Sequence, residues 1–218
     1  MARRNELRRR RPTLDPRPRI LIVCEGKKTE PGYFGDLRSE THIRTVEIVV
    51  DDRSGVPKTL VERAVEMKRA AQRDSKRMRD PFLSFNEVWC VFDVDAHPNL
   101  REAFQQASAH GIRVALSNPC FELWILLHFQ DQRSHIERTD AASACRRHIP
   151  DYNKHITYTD LKGAYSVAVQ RAIALSQWQE SRDCSGENPS TNVHELTELL
   201  HALGRQRHLD RVSKLGAR

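Results

Sequence analysis

The stretch EVWCVFDVDAHPN, residues 87–99, decides the fold that we expect for this chain. Five of its first six residues are apolar, which is typical of a strand buried on both faces of a parallel sheet. The strand leads into Asp93 and Asp95, which an extended chain places on the same side. Two unpaired carboxylates at one point repel, and each raises the pKa of the other. A divalent cation would resolve this repulsion, and oxygen ligands without a Cys or His cluster favour Mg²⁺ or Mn²⁺.

Strands and helices alternate around this stretch through the first 130 residues. Apolar and β-branched runs predict the strands, and Pro, Asn and Gly residues mark helix ends between them. This order predicts an α/β fold with a mainly parallel four-stranded sheet flanked by helices. The predicted strands are 20–24, 45–52, 87–92 and 112–117; the predicted helices begin near Thr29, cover 57–77 and 99–110, and begin again at Asn118 as an N-cap.

The sequence changes character after Gln130. Residues 131–165 are polar and predict short helices and loops, followed by a helix over about 163–181. Asn192 and Glu195 have the spacing of a capping box, which predicts the start of a last helix. We therefore expect three parts: a basic flexible arm (1–18), an α/β core (19–130) and a helical C-terminal extension packed on the core (131–218).

The net charge of +7 is concentrated at the N-terminus. Residues 1–19 contain eight arginines and two acidic residues, whereas the remainder of the chain is close to neutral. Blocks of like charge either bind the phosphates of nucleic acid or act as solubilising tails, and the sequence leaves both uses open. The arm residues that we predict to bind nucleic acid are Arg8, Arg9, Arg10 and Arg11.

Cysteine content and hydropathy indicate the compartment. Five cysteines without a CxxC pair make a zinc ribbon or a disulfide framework unexpected, and they indicate a reducing environment. The longest early apolar run, residues 20–24, is too short for a signal-peptide core or a membrane span. We therefore expect a cytoplasmic protein with no membrane partner, and an oligomer is one open option.

A second acidic position is expected at the same edge of the sheet. Glu25 follows the first strand, and ligands of parallel α/β sheets bind beyond the carboxyl ends of the strands. The aspartate pair could instead cap a turn, and the lysines of EGKK could be solvated. The segment is not a P-loop, because Leu21 stands where the first glycine belongs and Lys28 where Ser or Thr belongs.

Four stretches resemble the RloB-like family: ILIVCEGKKTEPGYF, VFDVDAH, SNPCFELWILLHF and NPSTNVHELTELL, which together run from about residue 19 to 203. A Glu-Gly after the first strand and a D-x-D after a later strand also resemble the Toprim fold of topoisomerases, primases and OLD-family nucleases. The resemblance implies a Toprim-like, metal-dependent nuclease in the antiphage defence of bacteria or archaea. It also implies nucleic acid as substrate, and a partner ATPase or restriction-modification components as partners.

The resemblance also assigns residues. Glu25, Asp93 and Asp95 match the Toprim acidic positions, so they are the predicted catalytic and metal-binding residues. Glu25 would complete the metal shell or act as general acid or base. Further candidates are Glu122, which would otherwise compensate a helix dipole, Lys27 and Lys28 as phosphate contacts, His97 as metal ligand or proton shuttle, and Asn118.

Two other functions remain open from the sequence. The first is a non-catalytic Toprim module that binds nucleic acid or a partner ATPase. The second is a phosphohydrolase that uses the D-x-D motif. Phosphatases of the haloacid dehalogenase type have Thr or Val at the fifth motif position, where this chain has His97. The sequence distinguishes neither DNA from RNA nor endonuclease from exonuclease.

Overall fold

The computed structural model describes residues 18–51, 56–94, 100–150, 152–153 and 155–215. None of the helices in these ranges is both long enough and apolar enough to cross a membrane. The elements are β1 (Ile20–Cys24), α1 (Thr29–Glu40), β2 (Val46–Val50), α2 (Pro57–Met78), β3 (Glu87–Asp93), α3 (Leu100–Ala109), β4 (Arg113–Asn118), α4 (Glu122–Leu127), α5 (Arg138–His148), α6 (Tyr158–Leu161), α7 (Tyr165–Glu180), β5 (Ser190–Thr191) and α8 (Val193–Leu215).

The strands form one mixed sheet in the order β2-β1-β3-β4-β5, so the predicted α/β fold is confirmed. The first four strands are parallel, and Cys24 pairs with Val50 on one side and with Val91 on the other. The predicted count of four strands is wrong, because Ser190 and Thr191 add a short antiparallel strand beside β4. This strand precedes α8, in a part of the chain for which the sequence predicted no strand.

Alternate residues of the central strands face two hydrophobic clusters. Ile20, Ile22 and Cys24 of β1 belong to a cluster that also contains residues of α1 and of α4 to α8. Leu21 and Val23 face the opposite way and pack with α2 and α3. The continuous apolar run of β1 is therefore explained by burial on both faces of the sheet.

The order of the strands reverses at β1. The chain passes from β1 to β2 on one side and then places β3 and β4 on the other. Helix α1 covers one face and helices α2 and α3 the other, as right-handed crossovers require. The carboxyl ends of β1 and β3 therefore flank a topological switch point, where open α/β sheets bind ligands.

The ends of α2 and α3 follow the local helix start and stop residues of the sequence. Helix α2 has Pro57 at its first turn, a position where the missing amide hydrogen is tolerated. Gly111 follows α3 with a φ of 58°, the left-handed conformation that glycine adopts readily. The predicted helices over 57–77 and 99–110 are confirmed to within about two residues at the ends that the structure describes, and Asn99 lies outside the described residues.

The prediction that Asn118 and Pro119 begin a helix is wrong. Asn118 is the last residue of β4, its peptide bond to Pro119 is cis, and α4 begins at Glu122. The side chain of Asn118 donates a hydrogen bond to the carbonyl of Gly186 at 3.0 Å, and its backbone pairs with Ser190. Contacts with a distant part of the chain therefore override the local helix signal.

The predicted capping box of Asn192 and Glu195 is also wrong. The Asn192 side chain accepts a hydrogen bond from the amide of Leu116 at 2.7 Å and donates one to the carbonyl of Val114 at 2.9 Å. The carboxylate of Glu195 pairs with Arg113 at 3.0 Å. Both side chains thus hold the start of α8 against β4 instead of capping the helix.

Candidate active site

Three acidic side chains from three elements meet at the switch point of the sheet. Glu30 lies in the first turn of α1, Asp93 ends β3 and Glu122 begins α4. Their exposed fractions are 6%, 7% and 4%, so all three are buried although each can carry a charge. They line a cavity of about 210 Å³ together with Gly26, Lys27, Lys28, Thr29, Phe121 and Arg138.

Asp93 is the electrostatic centre of this acidic cluster (Glu30, Asp93 and Glu122). Burial raises its pKa well above the ordinary value of an aspartate, and the charge of Glu30 is the next largest cause. Glu122 and Glu25 raise the pKa further, whereas Arg138 lowers it. The Nη2 atom of Arg138 lies 3.3 Å from Oδ2 of Asp93 and donates a hydrogen bond to it. The ionised form of Asp93 therefore requires positive charge close by.

Glu122 is held by residues that follow it in the chain. The hydroxyl of Tyr152 donates a hydrogen bond to Oε1 of Glu122 at 2.9 Å within the core. The Cys145 thiol donates a long hydrogen bond of 3.5 Å to the carbonyl of Glu122, and burial raises the pKa of this thiol to about 12. Glu122 therefore lies on the wall of the cavity with its carboxylate held by Tyr152.

Glu30 was not among the residues predicted from the sequence. Its carboxylate lies directly over Gly26, where a Cβ atom would overlap it. Glycine at position 26 therefore makes room for an acidic side chain beside Asp93. A glutamate in the first turn of a helix usually compensates the helix dipole, so only its burial distinguishes Glu30. Arg138 and Tyr152 were also missed, because both lie in the polar segment after Gln130.

The remaining predicted residues of the EGKK segment lie at the same edge. Glu25 is half-buried, and its amide donates a hydrogen bond to the carbonyl of Val91 at 3.0 Å, which extends the pairing of β1 with β3. Lys27 and Lys28 are exposed and line the cavity. The cavity thus has an acidic floor and basic groups at its rim.

Of the other predicted residues, the structure describes only Asn118. Asn118 points to Gly186 and does not line the cavity. Asp95, His97 and the arm arginines Arg8, Arg9, Arg10 and Arg11 lie outside the described residues. Within the described residues, no three His, Cys, Asp or Glu side chains are arranged to hold a metal ion. The cluster offers the carboxylate oxygens that Mg²⁺ and Mn²⁺ prefer, but a complete ligand set would need further donors such as Asp95.

Larger cavities lie elsewhere on the molecule. One of about 500 Å³ lies between the end of α1 and α8 and is lined by residues that include His42, Tyr158 and His201. Among the described lining residues, the one carboxylate is that of Glu40, which pairs with Lys162 at 2.9 Å. The acidic cluster therefore distinguishes the smaller cavity at the switch point as the candidate site.

These features define an α/β protein with a buried acidic cluster at the switch point of a mainly parallel sheet. A scan of protein-family models matches residues 20–200 to RloB, described as RloB-like protein. The chain belongs to the RloB-like family, so the resemblance of the four sequence stretches to that family is confirmed. No curated protein and no solved structure gives a significant match.

Proposed function

We propose that the protein is a metal-dependent nuclease of the Toprim type that cleaves phosphodiester bonds of nucleic acid with Mg²⁺ or Mn²⁺. The observation that supports this most strongly is the burial of Glu30, Asp93 and Glu122 around one cavity. Buried carboxylates that repel one another are unfavourable unless a cation or protons compensate them. Divalent cations held by carboxylates commonly catalyse phosphoryl transfer, because they stabilise charge on the phosphoryl oxygens and activate water.

The proposed mechanism assigns a role to each side of the cavity. Phosphodiester cleavage needs an activated water, charge stabilisation on the phosphoryl oxygens and a proton for the leaving oxygen. A divalent cation, bound by Asp93 with Asp95, would stabilise the phosphoryl charge and acidify a water. Glu25, close enough to Asp93 to raise its pKa, either completes this shell or transfers the proton. Lys27 and Lys28 contact the phosphate from the rim.

Glu30 and Glu122 complete the acidic surface in this proposal. Glu122 is fixed by the hydroxyl of Tyr152, which orients its carboxylate toward the cavity that both Asp93 and Glu122 line. Substituting a residue that hydrogen-bonds a metal ligand commonly lowers metal affinity or activity by roughly 10- to 100-fold. We therefore treat Tyr152 as a positioning residue and the two glutamates as further cation-facing groups.

The cellular setting is proposed from the family resemblance. This resemblance supports a role in antiphage defence with a partner ATPase or restriction-modification components, and the unpaired cysteine pattern supports a reducing cytoplasm. The arm arginines Arg8 to Arg11 would add phosphate contacts to nucleic acid, DNA or RNA. Deleting residues 1–18 should then weaken binding and flatten its salt dependence, whereas an unchanged salt slope would show that the arm is only a tail.

A non-catalytic module that binds nucleic acid is the second candidate. It is favoured by the finding that the described residues alone do not complete a metal site. Calorimetry with Mn²⁺ separates the two functions, because a degenerate site would not bind the ion. A phosphohydrolase would instead release phosphate from small phosphate esters and leave nucleic acid intact.

The test of the proposed nuclease is cleavage of plasmid, single-stranded DNA and total tRNA with Mg²⁺, Mn²⁺ or EDTA. Wild type is compared with Asp93→Ala and with Asp74→Ala, a control that removes an exposed carboxylate of α2 paired with Arg77. We expect metal-dependent cleavage by wild type and by the control, and none by Asp93→Ala. Undiminished cleavage by Asp93→Ala would refute the assignment of this site.

A further inference from the structure

Arg138 brings a positive charge to the acidic cluster from a segment to which the sequence assigned no role. It is the first residue of α5, lines the cavity and hydrogen-bonds Asp93 at 3.3 Å. The Arg138 side chain is 44% exposed, whereas the Asp93 side chain is only 10% exposed. The guanidinium therefore reaches the carboxylate from the solvent side, the side from which a substrate would enter.

We infer that Arg138 is a substrate-binding residue that exchanges Asp93 for a phosphoryl oxygen of nucleic acid when a divalent cation binds. The inference deepens the proposed nuclease function and rests on it. In the ion-free protein, Arg138 supplies positive charge that Asp93 requires. A divalent cation on Asp93 supplies that charge instead and repels the guanidinium. The planar fork of an arginine then matches the oxygens of a phosphodiester better than a lysine does.

The weakness of the ion pair between Arg138 and Asp93 favours such an exchange. An ion pair in which one partner is about half exposed is weak, because water screens it and already solvates much of the guanidinium. The pair can therefore be replaced without a large loss of stability. Arg138 is also well placed geometrically, since it lines the same cavity as Lys27 and Lys28 and can contact a phosphate that those lysines reach.

This exchange predicts two effects of opposite sign when Arg138 is removed. A competitor for Asp93 disappears, so Mn²⁺ should bind about two- to fivefold more tightly in the absence of nucleic acid. A phosphate contact also disappears, so an oligonucleotide should bind roughly 10- to 100-fold more weakly. The slope of log affinity against log salt should fall by about 0.7 to 0.9, the contribution of one phosphate contact.

The experiment uses the full chain with Arg138→Gln, Arg138→Lys and the control Arg147→Gln, an exposed arginine of the same helix. Calorimetry measures Mn²⁺ binding, and fluorescence anisotropy measures binding of a labelled oligonucleotide in Ca²⁺ over a range of salt. Thermal unfolding checks that each variant is folded. We expect both effects in Arg138→Gln, a partial loss of oligonucleotide affinity in Arg138→Lys and neither effect in Arg147→Gln.

The outcomes separate this inference from the nuclease proposal. If Arg138→Gln does not gain Mn²⁺ affinity, or if its salt slope equals that of the wild type, the inference is overturned even when the wild type cleaves nucleic acid. If both effects occur in a protein that cleaves nothing, the exchange stands and the nuclease proposal fails. A wild type that binds no Mn²⁺ overturns both.

Discussion

The hydrogen bond from Tyr152 to Glu122 gives a quantitative test of how the acidic cluster is held. Tyr152→Phe removes one hydroxyl and leaves Oε1 of the buried Glu122 without this donor at 2.9 Å. Hydrogen bonds to charged groups contribute about 1.5 to 3 kcal/mol, so the free energy of unfolding should fall by that amount. For a chain of this size, each kcal/mol corresponds to roughly 2 to 4 °C, which predicts a fall in Tm of about 3 to 12 °C.

The chain offers a matched control in Tyr165→Phe. The Tyr165 hydroxyl donates a hydrogen bond to Oε1 of the exposed Glu198 at 2.7 Å and lies 3.1 Å from Oγ1 of Thr197. Because water can replace the lost partner of Glu198, this variant should lose less than about 1 kcal/mol. Differential scanning calorimetry and urea denaturation measure both variants. Equal losses in the two would refute the reasoning that burial of the carboxylate determines the effect.

Three further predictions concern stability and ion binding. Asp93→Asn should raise the free energy of unfolding at pH 7, because burial and Glu30 raise the pKa of Asp93 in the folded protein and make its ionisation unfavourable there. Protonation of Asp93 removes this penalty from the wild type as the pH falls. The stability gain of Asp93→Asn, measured by urea denaturation, should therefore shrink towards about pH 4. A gain independent of pH would contradict the explanation. Gly26→Ala should displace the Glu30 carboxylate and weaken Mn²⁺ binding, measured by calorimetry, by roughly tenfold. The control Gly35→Ala has open space around the added Cβ within α1. It should leave Mn²⁺ binding unchanged and stabilise the protein by about 0.5 to 1 kcal/mol. Asn192→Ala should lower the free energy of unfolding by about 1 to 3 kcal/mol in urea denaturation, because two hydrogen bonds to the backbone of β4 are lost; an unchanged value would show that water replaces them.

The elements that the sequence predicted well are those whose signals are local and consistent. The run from Ile20 to Cys24 is apolar because both faces of β1 are covered, and it ends where the polar EGKK segment begins. Asn118 and Asn192 misled the prediction because asparagine serves equally as a helix cap and as a partner of a distant backbone. Hydrogen bonds of Asn118 to Gly186 and of Asn192 to β4, 68 to 78 residues away along the chain, decide their roles.

The acidic cluster was predictable only in part. Asp93 and Glu25 follow apolar strands, so their common edge follows from the rule for parallel sheets. Glu30, Arg138 and Tyr152 carry no such signal, since each is an ordinary polar residue in its local sequence. Their burial and contacts arise from packing of α1 and of the segment after Gln130 on the sheet.

The partners of the acidic residues come later in the chain than the acidic residues themselves, and this has a consequence for biosynthesis. A ribosome completes Asp93 and Glu122 before it adds Arg138 and Tyr152, which hydrogen-bond them. A nascent chain that ends near residue 130 therefore has the carboxylates but lacks the cavity wall that α5 provides. Because folding proceeds as the chain emerges, the site is assembled only late in translation.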